Sequence, residues 1–188
     1  MRTLIALATF AFASVASAEP LSYQFDKVHT QVHASVLHMG LSNSTARFAV
    51  KDGTISFDSA DWSQSKVDVT LNVAGIDLGD NTWQEHVSAE KWFNSAVFPD
   101  ARFVSNKVEK TGEKTLTISG DFTLKGVTKP VTLQATLNQA GPHPFSKKPA
   151  LGISATGTFK RSEFGVSEYL GGISDEVSLR IEIEASAS

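Results

Sequence analysis

The sequence predicts an exported, all-β domain of about eight antiparallel strands. Three observations carry this. Hydrophobic alternation with a period of two recurs along most of the chain. Turn residues separate the alternating runs at short spacing. The N-terminus has the layout of a cleaved export signal.

The signal reading comes first in chain order. Arg2 supplies the positive end, Leu4 to Val15 form a short apolar stretch, and Ala16-Ser17-Ala18 is an A-x-A cleavage site. A spanning helix needs about 20 apolar residues, more than this run supplies. Residues 1–18 are therefore expected to be removed, leaving 19–188 as a single domain in the periplasm, with secretion as the alternative. The chain has no cysteine, which excludes a disulfide framework, thiolate metal sites and a cysteine nucleophile. Loss of Arg2 leaves 16 basic against 20 acidic side chains, a net charge of −4. Nucleic acid is a poor partner for such a chain.

The strands follow in order. Leu21, Tyr23 and Phe25 alternate with polar neighbours, as do Val32, Ala34 and Val36. Lys51-Asp52-Gly53 carries an Asp-Gly hairpin signal. Val67 to Val73 alternate next. Between Gly75 and Pro99 the alternation stops, and Thr82–Val87 and Ser88–Asn94 predict one or two short helices, with Ser88 as a candidate cap. Leu116, Ile118, Phe122 and Leu124 share a face, then Val131, Leu133, Ala135 and Leu137, and last Val177, Leu179, Ile181 and Ile183. Thr111-Gly112-Glu113, Gly126–Pro130 and a loop from Gly141 to Pro149 punctuate these runs.

Strands with one apolar face close into a barrel or pair as a sandwich, and periodicity alone leaves both open. Small residues at the inward parity (Ala34, Gly120, Ala135, Ala155, Gly157 and Ala185) would leave room inside a barrel. A membrane barrel fits less well. Several runs fall short of the roughly 9–11 residues a spanning strand needs, and Lys66 or Arg180 facing lipid would cost about 2–4 kcal/mol at the midplane. Stable membrane insertion is not expected.

Catalytic signals are weak. Gly152-Ile153-Ser154 and Gly165-Val166-Ser167 each supply half of a nucleophile elbow, and Glu163 and Glu168 are carboxylates without a defined separation. No metal-ligand spacing joins the five histidines, although His29, His38 and His86 could converge in space.

Five segments together carry a resemblance. They are Asp26-Lys27-Val28-His29-Thr30 with His38-Met39-Gly40-Leu41-Ser42, His86 to Phe93, Phe98 to Phe103, Gly120 to Val131, and Arg161 to Gly165 with Asp175-Glu176-Val177. In this order they resemble the YceI-like family of exported polyisoprenoid-binding proteins. The resemblance covers nearly the whole mature chain. It implies an extended, antiparallel, lipocalin-like β-barrel enclosing a long-chain isoprenoid, quinone precursor or fatty-acid-like lipid. It further implies non-catalytic binding, sequestration or transport in the cell envelope, with the lipid as ligand and no other cofactor. Leu37, Met39, Trp92, Phe93, Phe98, Phe103, Phe122, Leu133, Ile153, Phe159 and Phe164 are the candidate tunnel residues. One departure stands out: Trp83-Gln84-Glu85 precedes His86 where the family commonly has an Arg-Asp pair, which leaves the head group open. The alternatives are a histidine-based metal protein or enzyme, and a stress-related envelope module with a filled barrel. The chain is expected to be a monomer or a homodimer.

Overall fold

A computed structural model describes residues 19–188, so the expected signal segment lies outside the described residues. The strands are β1 (Leu21–Phe25), β2 (Gln31–His38), β3 (Ser42–Phe57), β4 (Lys66–Asp77), β5 (Asp100–Lys110), β6 (Thr115–Leu124), β7 (Val127–Pro142), β8 (Pro149–Lys160) and β9 (Glu176–Ala187). One helix, α1 (Asn81–Ser88), follows β4. From β2 to β9 each strand pairs antiparallel with the next, and β9 pairs back onto β2, so the sheet closes.

Closure uses eight positions for nine strands because β1 and β2 share one. Both lie between β3 and β9 and run antiparallel to them. The interruption is the turn at Asp26 to Thr30. One carboxylate oxygen of Asp26 accepts the backbone N–H groups of Val28 and His29 at 2.9 and 3.1 Å, an Asx-type local bond that competes with the ladder. Every strand thus has a partner on both sides, which removes the open edges a sandwich would leave. The barrel-or-sandwich tie is resolved as a closed barrel.

Two turn assignments differ from the sequence reading. Asp52-Gly53 lies inside β3, where a register shift between Val50 and Asp52 makes a bulge instead of a hairpin. Gly53 has φ of 149°, and a Cβ there would fall against the Asp68 carbonyl oxygen and 2.8 Å from Val69 Cα on β4, so glycine permits this close backbone approach. The turn after β6 is only Lys125-Gly126; β7 starts at Val127 and Pro130 sits inside it, opposite Asp121.

Between β4 and β5 there is one helix, not two. Asp80 caps it by accepting from Trp83 N at 2.8 Å. Ser88 is its last residue, and the chain then folds through tight turns in which Phe93 N bonds Val87 O and Asn94 N bonds Ala89 O. Outward residues of the barrel carry charge, as in the pairs Lys51–Asp100 at 2.6 Å and Arg102–Asp68, whose Nε–Oδ1 distance is 2.9 Å. Among the described residues no helix is long and apolar enough to cross a membrane.

Candidate functional site: an apolar tunnel

The inward parity of the strands makes one large apolar core with a smaller cluster at one end. That cluster joins Val87 of α1, Trp92, Ile76, Ala46 and Val166, and Phe48 and Phe93 pack against both groups. Phe48 meets Phe93 edge-on at 6.4 Å. The helix and its following turns therefore cover one mouth of the barrel.

Beneath this cover the interior is not filled. An upper chamber of about 140 Å³ lies between the cap and the middle of the barrel, and a lower chamber of about 90 Å³ continues below it. Val32, Leu71, Phe122 and Leu179 line both, so these four side chains form the waist that stands between the chambers. The upper space alone matches the scale of an apolar cavity of about 150 Å³ that stays dry and takes benzene.

Polar groups are distributed unevenly along this tunnel. His38, Ser44 and Arg161 are on the wall of the upper chamber, with Trp83. The lower chamber has one hydroxyl, that of Thr30, which donates to the carbonyl of Glu184 at 3.1 Å. Both chambers are lined almost wholly by carbon, and the few polar groups gather at the upper end. An apolar chain is favoured deep inside, because an uncompensated polar group there would lose its water contacts.

The sequence-derived candidates divide between wall and surroundings. Trp92, Phe93 and Phe159 line the upper chamber, Phe103, Leu133 and Ile153 the lower, and Phe122 both. Phe164 is 0% exposed but stands behind the wall, with its ring 5.4 Å from Phe122 and 5.3 Å from Phe159. Phe98 packs against Gly126 at the β6–β7 turn, where a Cβ would fall 2.9 Å from its ring, and it does not reach the tunnel. Leu37 and Met39 lie at the outer rim: β2 points Val32, Ala34, Val36 and His38 inward, so the odd positions face out.

Small inward residues behave in two ways. Ala34 and Ala155 border the tunnel and keep it open. At Gly120 and Gly157 the space is already taken, since a Cβ would fall 2.6 Å from Phe103 and 2.7 Å from Leu133 respectively. These glycines permit close strand packing and create no room.

Arg161 is one of the wall residues that the candidate set omits, as are Val32, Leu71 and Leu179 at the waist and His38, Ser44 and Trp83 above it. The Arg161 side chain is 4% exposed. The guanidinium donates from Nε to Ser174 O at 2.9 Å, from Nη1 to Val166 O at 2.8 Å and from Nη2 to Ile173 O at 2.9 Å. It also lies 5.7 Å from the ring of Trp92. Burial lowers its pKa from the ordinary arginine value, and the charge of Asp175 opposes that. Three carbonyls from one loop thus converge on one fork-shaped cation, which shapes the wall of the mouth. The Arg-Ser-Glu-Phe-Gly motif was visible in the chain, but its partners are backbone atoms that no residue pattern reports.

The histidines do not assemble into one donor set. His29 Nδ1 bonds Asp26 Oδ2 at 2.8 Å, and these two with Glu184 are the only group of three metal-type side chains that converges among the described residues. His38 packs on Trp83 with ring centres 6.4 Å apart, and His86 Nε2 accepts from Trp92 Nε1 at 3.1 Å. The hydrogen bond to Asp26 raises the pKa of His29, and the same bond lowers that of Asp26.

Comparison with known proteins places this architecture. The protein YceI of Escherichia coli O6:H1 is 38% identical over 173 residues, 91% of this chain and 90% of its own. The crystal structure of Burkholderia cenocepacia BcnA superposes with a TM-score of 0.76 at 25% identity, covering 86% of this chain and 99% of that one. A polyisoprenoid binding domain from Saccharophagus degradans shares the fold at a TM-score of 0.67 and 13% identity, covering 89% of this chain and 99% of that domain. The model of the YceI-like domain matches residues 23–185, which spans the barrel from β1 into β9. With that match added to the closed barrel and its motifs in order, this chain belongs to the YceI-like domain family.

Proposed function

We propose that this protein binds one long apolar chain of the isoprenoid class, or a related lipid, and carries or sequesters it without catalysis in the cell envelope. The observation that carries this reading is the pair of neighbouring apolar chambers that share the walls of Val32, Leu71, Phe122 and Leu179. A single chain threaded past the waist would occupy both, and each buried methylene contributes about 0.8 kcal/mol. The uneven polarity supplies an orientation: the tail lies in the lower chamber, and the head group stays near His38, Ser44 and Trp83 at the mouth.

The Saccharophagus domain is named for polyisoprenoid binding, and it shares this barrel. Its distance in sequence makes that support for a class of ligand, not for one lipid. Trp83 offers a flat amphipathic face at the mouth, which suits an uncharged or aromatic head group better than a strongly anionic one. The N-terminal signal pattern supports the envelope location.

Native mass spectrometry of the mature chain, purified without detergent, tests the reading. A bound mass that extracts into organic solvent as a prenyl-type lipid supports it. Protein that is reproducibly empty and ignores added long-chain prenols would refute it.

A further inference from the structure

The mouth of the tunnel is ringed by apolar side chains that face solvent. Leu41 is 85% exposed at the β2–β3 turn, with Leu37 and Met39 beside it. Tyr169 and Leu170 are exposed on the loop before β9, and Trp83 on α1. These positions form one patch. Met39 N donates to Gly172 O at 2.6 Å, and Met39 sulfur lies where a Cβ on Gly172 would go. Tyr169 stacks on Trp92 at 6.1 Å, and Trp83 packs on His38 at 6.4 Å.

The backbone also bears on this patch. Met39 and Tyr169 adopt φ of 52° and 53°, a left-handed conformation that Asn and Gly reach far more readily than bulky residues. A two-residue turn with positive φ at both positions, as at Met39-Gly40, favours Asn-Gly. Strained backbone here holds apolar side chains outward at the opening, where a folding requirement alone would select otherwise.

Charge identifies what this surface meets. Residues 37–46 and 169–174 contain no Asp, Glu, Lys or Arg; the charges next to them in the chain are Arg47, Glu168 and Asp175, and Asp77 lies opposite Arg47 in the β3–β4 ladder. An uncharged apolar rim on a mature chain of net charge −4 matches an uncharged lipid surface, and the chain as a whole is repelled by an anionic one.

The geometry points to the mouth rim, centred on Leu41, Met39 and Tyr169, as a docking surface for an electrically neutral phospholipid membrane. The tunnel opening would then face the bilayer from which an apolar chain is drawn. The purpose of this docking rests on the carrier reading, but the docking itself stands on the rim.

The test is flotation of the full mature chain with vesicles of phosphatidylcholine, alone or mixed with phosphatidylglycerol, with tunnel occupancy read by native mass spectrometry on the same samples. The protein is expected to float with phosphatidylcholine and less well as phosphatidylglycerol is added. Leu41→Glu should reduce the floated fraction about tenfold or more, because one exposed leucine no longer enters the apolar layer. Phe145→Glu, at a residue 90% exposed on the β7–β8 loop, should leave it unchanged. Absence of flotation with phosphatidylcholine overturns the proposal, as does equal flotation of Leu41→Glu. A sedimenting dimer that Leu41→Glu disperses, without vesicle binding, overturns it in favour of self-association. Loaded protein that fails to float removes the docking and spares the carrier reading; empty protein that floats does the reverse.

Discussion

Ala155→Leu puts a branched side chain into the lower chamber while leaving the mouth untouched. Ala155 is 4% exposed on β8, pairs with Ala135 and Ile181, and borders the lower space of about 90 Å³. If a methylene takes roughly the volume of a water, about 30 Å³, the lost space corresponds to about three methylenes. At about 0.8 kcal/mol each, a chain that fills the tunnel loses roughly 2–3 kcal/mol, or roughly 30- to 150-fold in affinity. A prenol short enough to end above Phe122 should bind as before. The assay is calorimetric titration of the variant and the parent with a long and a short prenol. Thermal unfolding supplies a second readout, because the added carbons enter open space and the midpoint should hold or rise. Overpacking of a filled interior would instead cost about 1–3 kcal/mol. An unchanged long-prenol affinity, or an equal loss for both prenols, would refute the two-chamber reasoning.

Phe164→Ala should destabilise the barrel by about 3–5 kcal/mol in denaturant titration, since its ring is wholly enclosed between Phe122 and Phe159. Arg161→Lys keeps the charge but loses the fork that reaches three carbonyls, and a cost of roughly 2–5 kcal/mol is expected from the buried acceptors left unpaired, again by denaturant titration. The His29–Asp26 pair should show in an NMR titration as a His29 midpoint above the ordinary histidine value, returning towards it in Asp26→Asn. A raised histidine pKa adds stability that is lost as pH rises through the folded value, and a lowered aspartate pKa adds stability that is lost as pH falls through its folded value. The pair therefore contributes only between these two limits, and a His29 midpoint that ignores the Asp26 substitution would contradict the assignment.

The legible part of the fold was the part governed by the two-residue period. Val32, Ala34 and Val36, or Leu179, Ile181 and Ile183, announce which face is inward before any pairing is known. The same rule puts Leu37 outside, although its residue type suggests a wall. Asp52-Gly53 misleads because a bulge inside a long strand asks for the same residues as a hairpin turn. Gly120 and Ala155 look alike in sequence, yet one is closed by Phe103 and the other opens on the tunnel; only the neighbouring strand decides. Aromatic type found five wall residues among the candidates, Trp92, Phe93, Phe103, Phe122 and Phe159, but also drew in Phe98 and Phe164, which pack around the tunnel. Arg161 stayed hidden as a mouth residue because its partners are carbonyls more than ten positions away in two of three cases.

The central claim is that a single chain occupies both chambers, and a crystal structure of the mature protein loaded with a long prenol tests it most directly. The account predicts continuous ligand density from the mouth at Trp83 and His38, past Phe122, into the lower chamber beside Ile153 and Ile183. Density confined above the waist, or a chain lying on the outer face of the barrel, would contradict it.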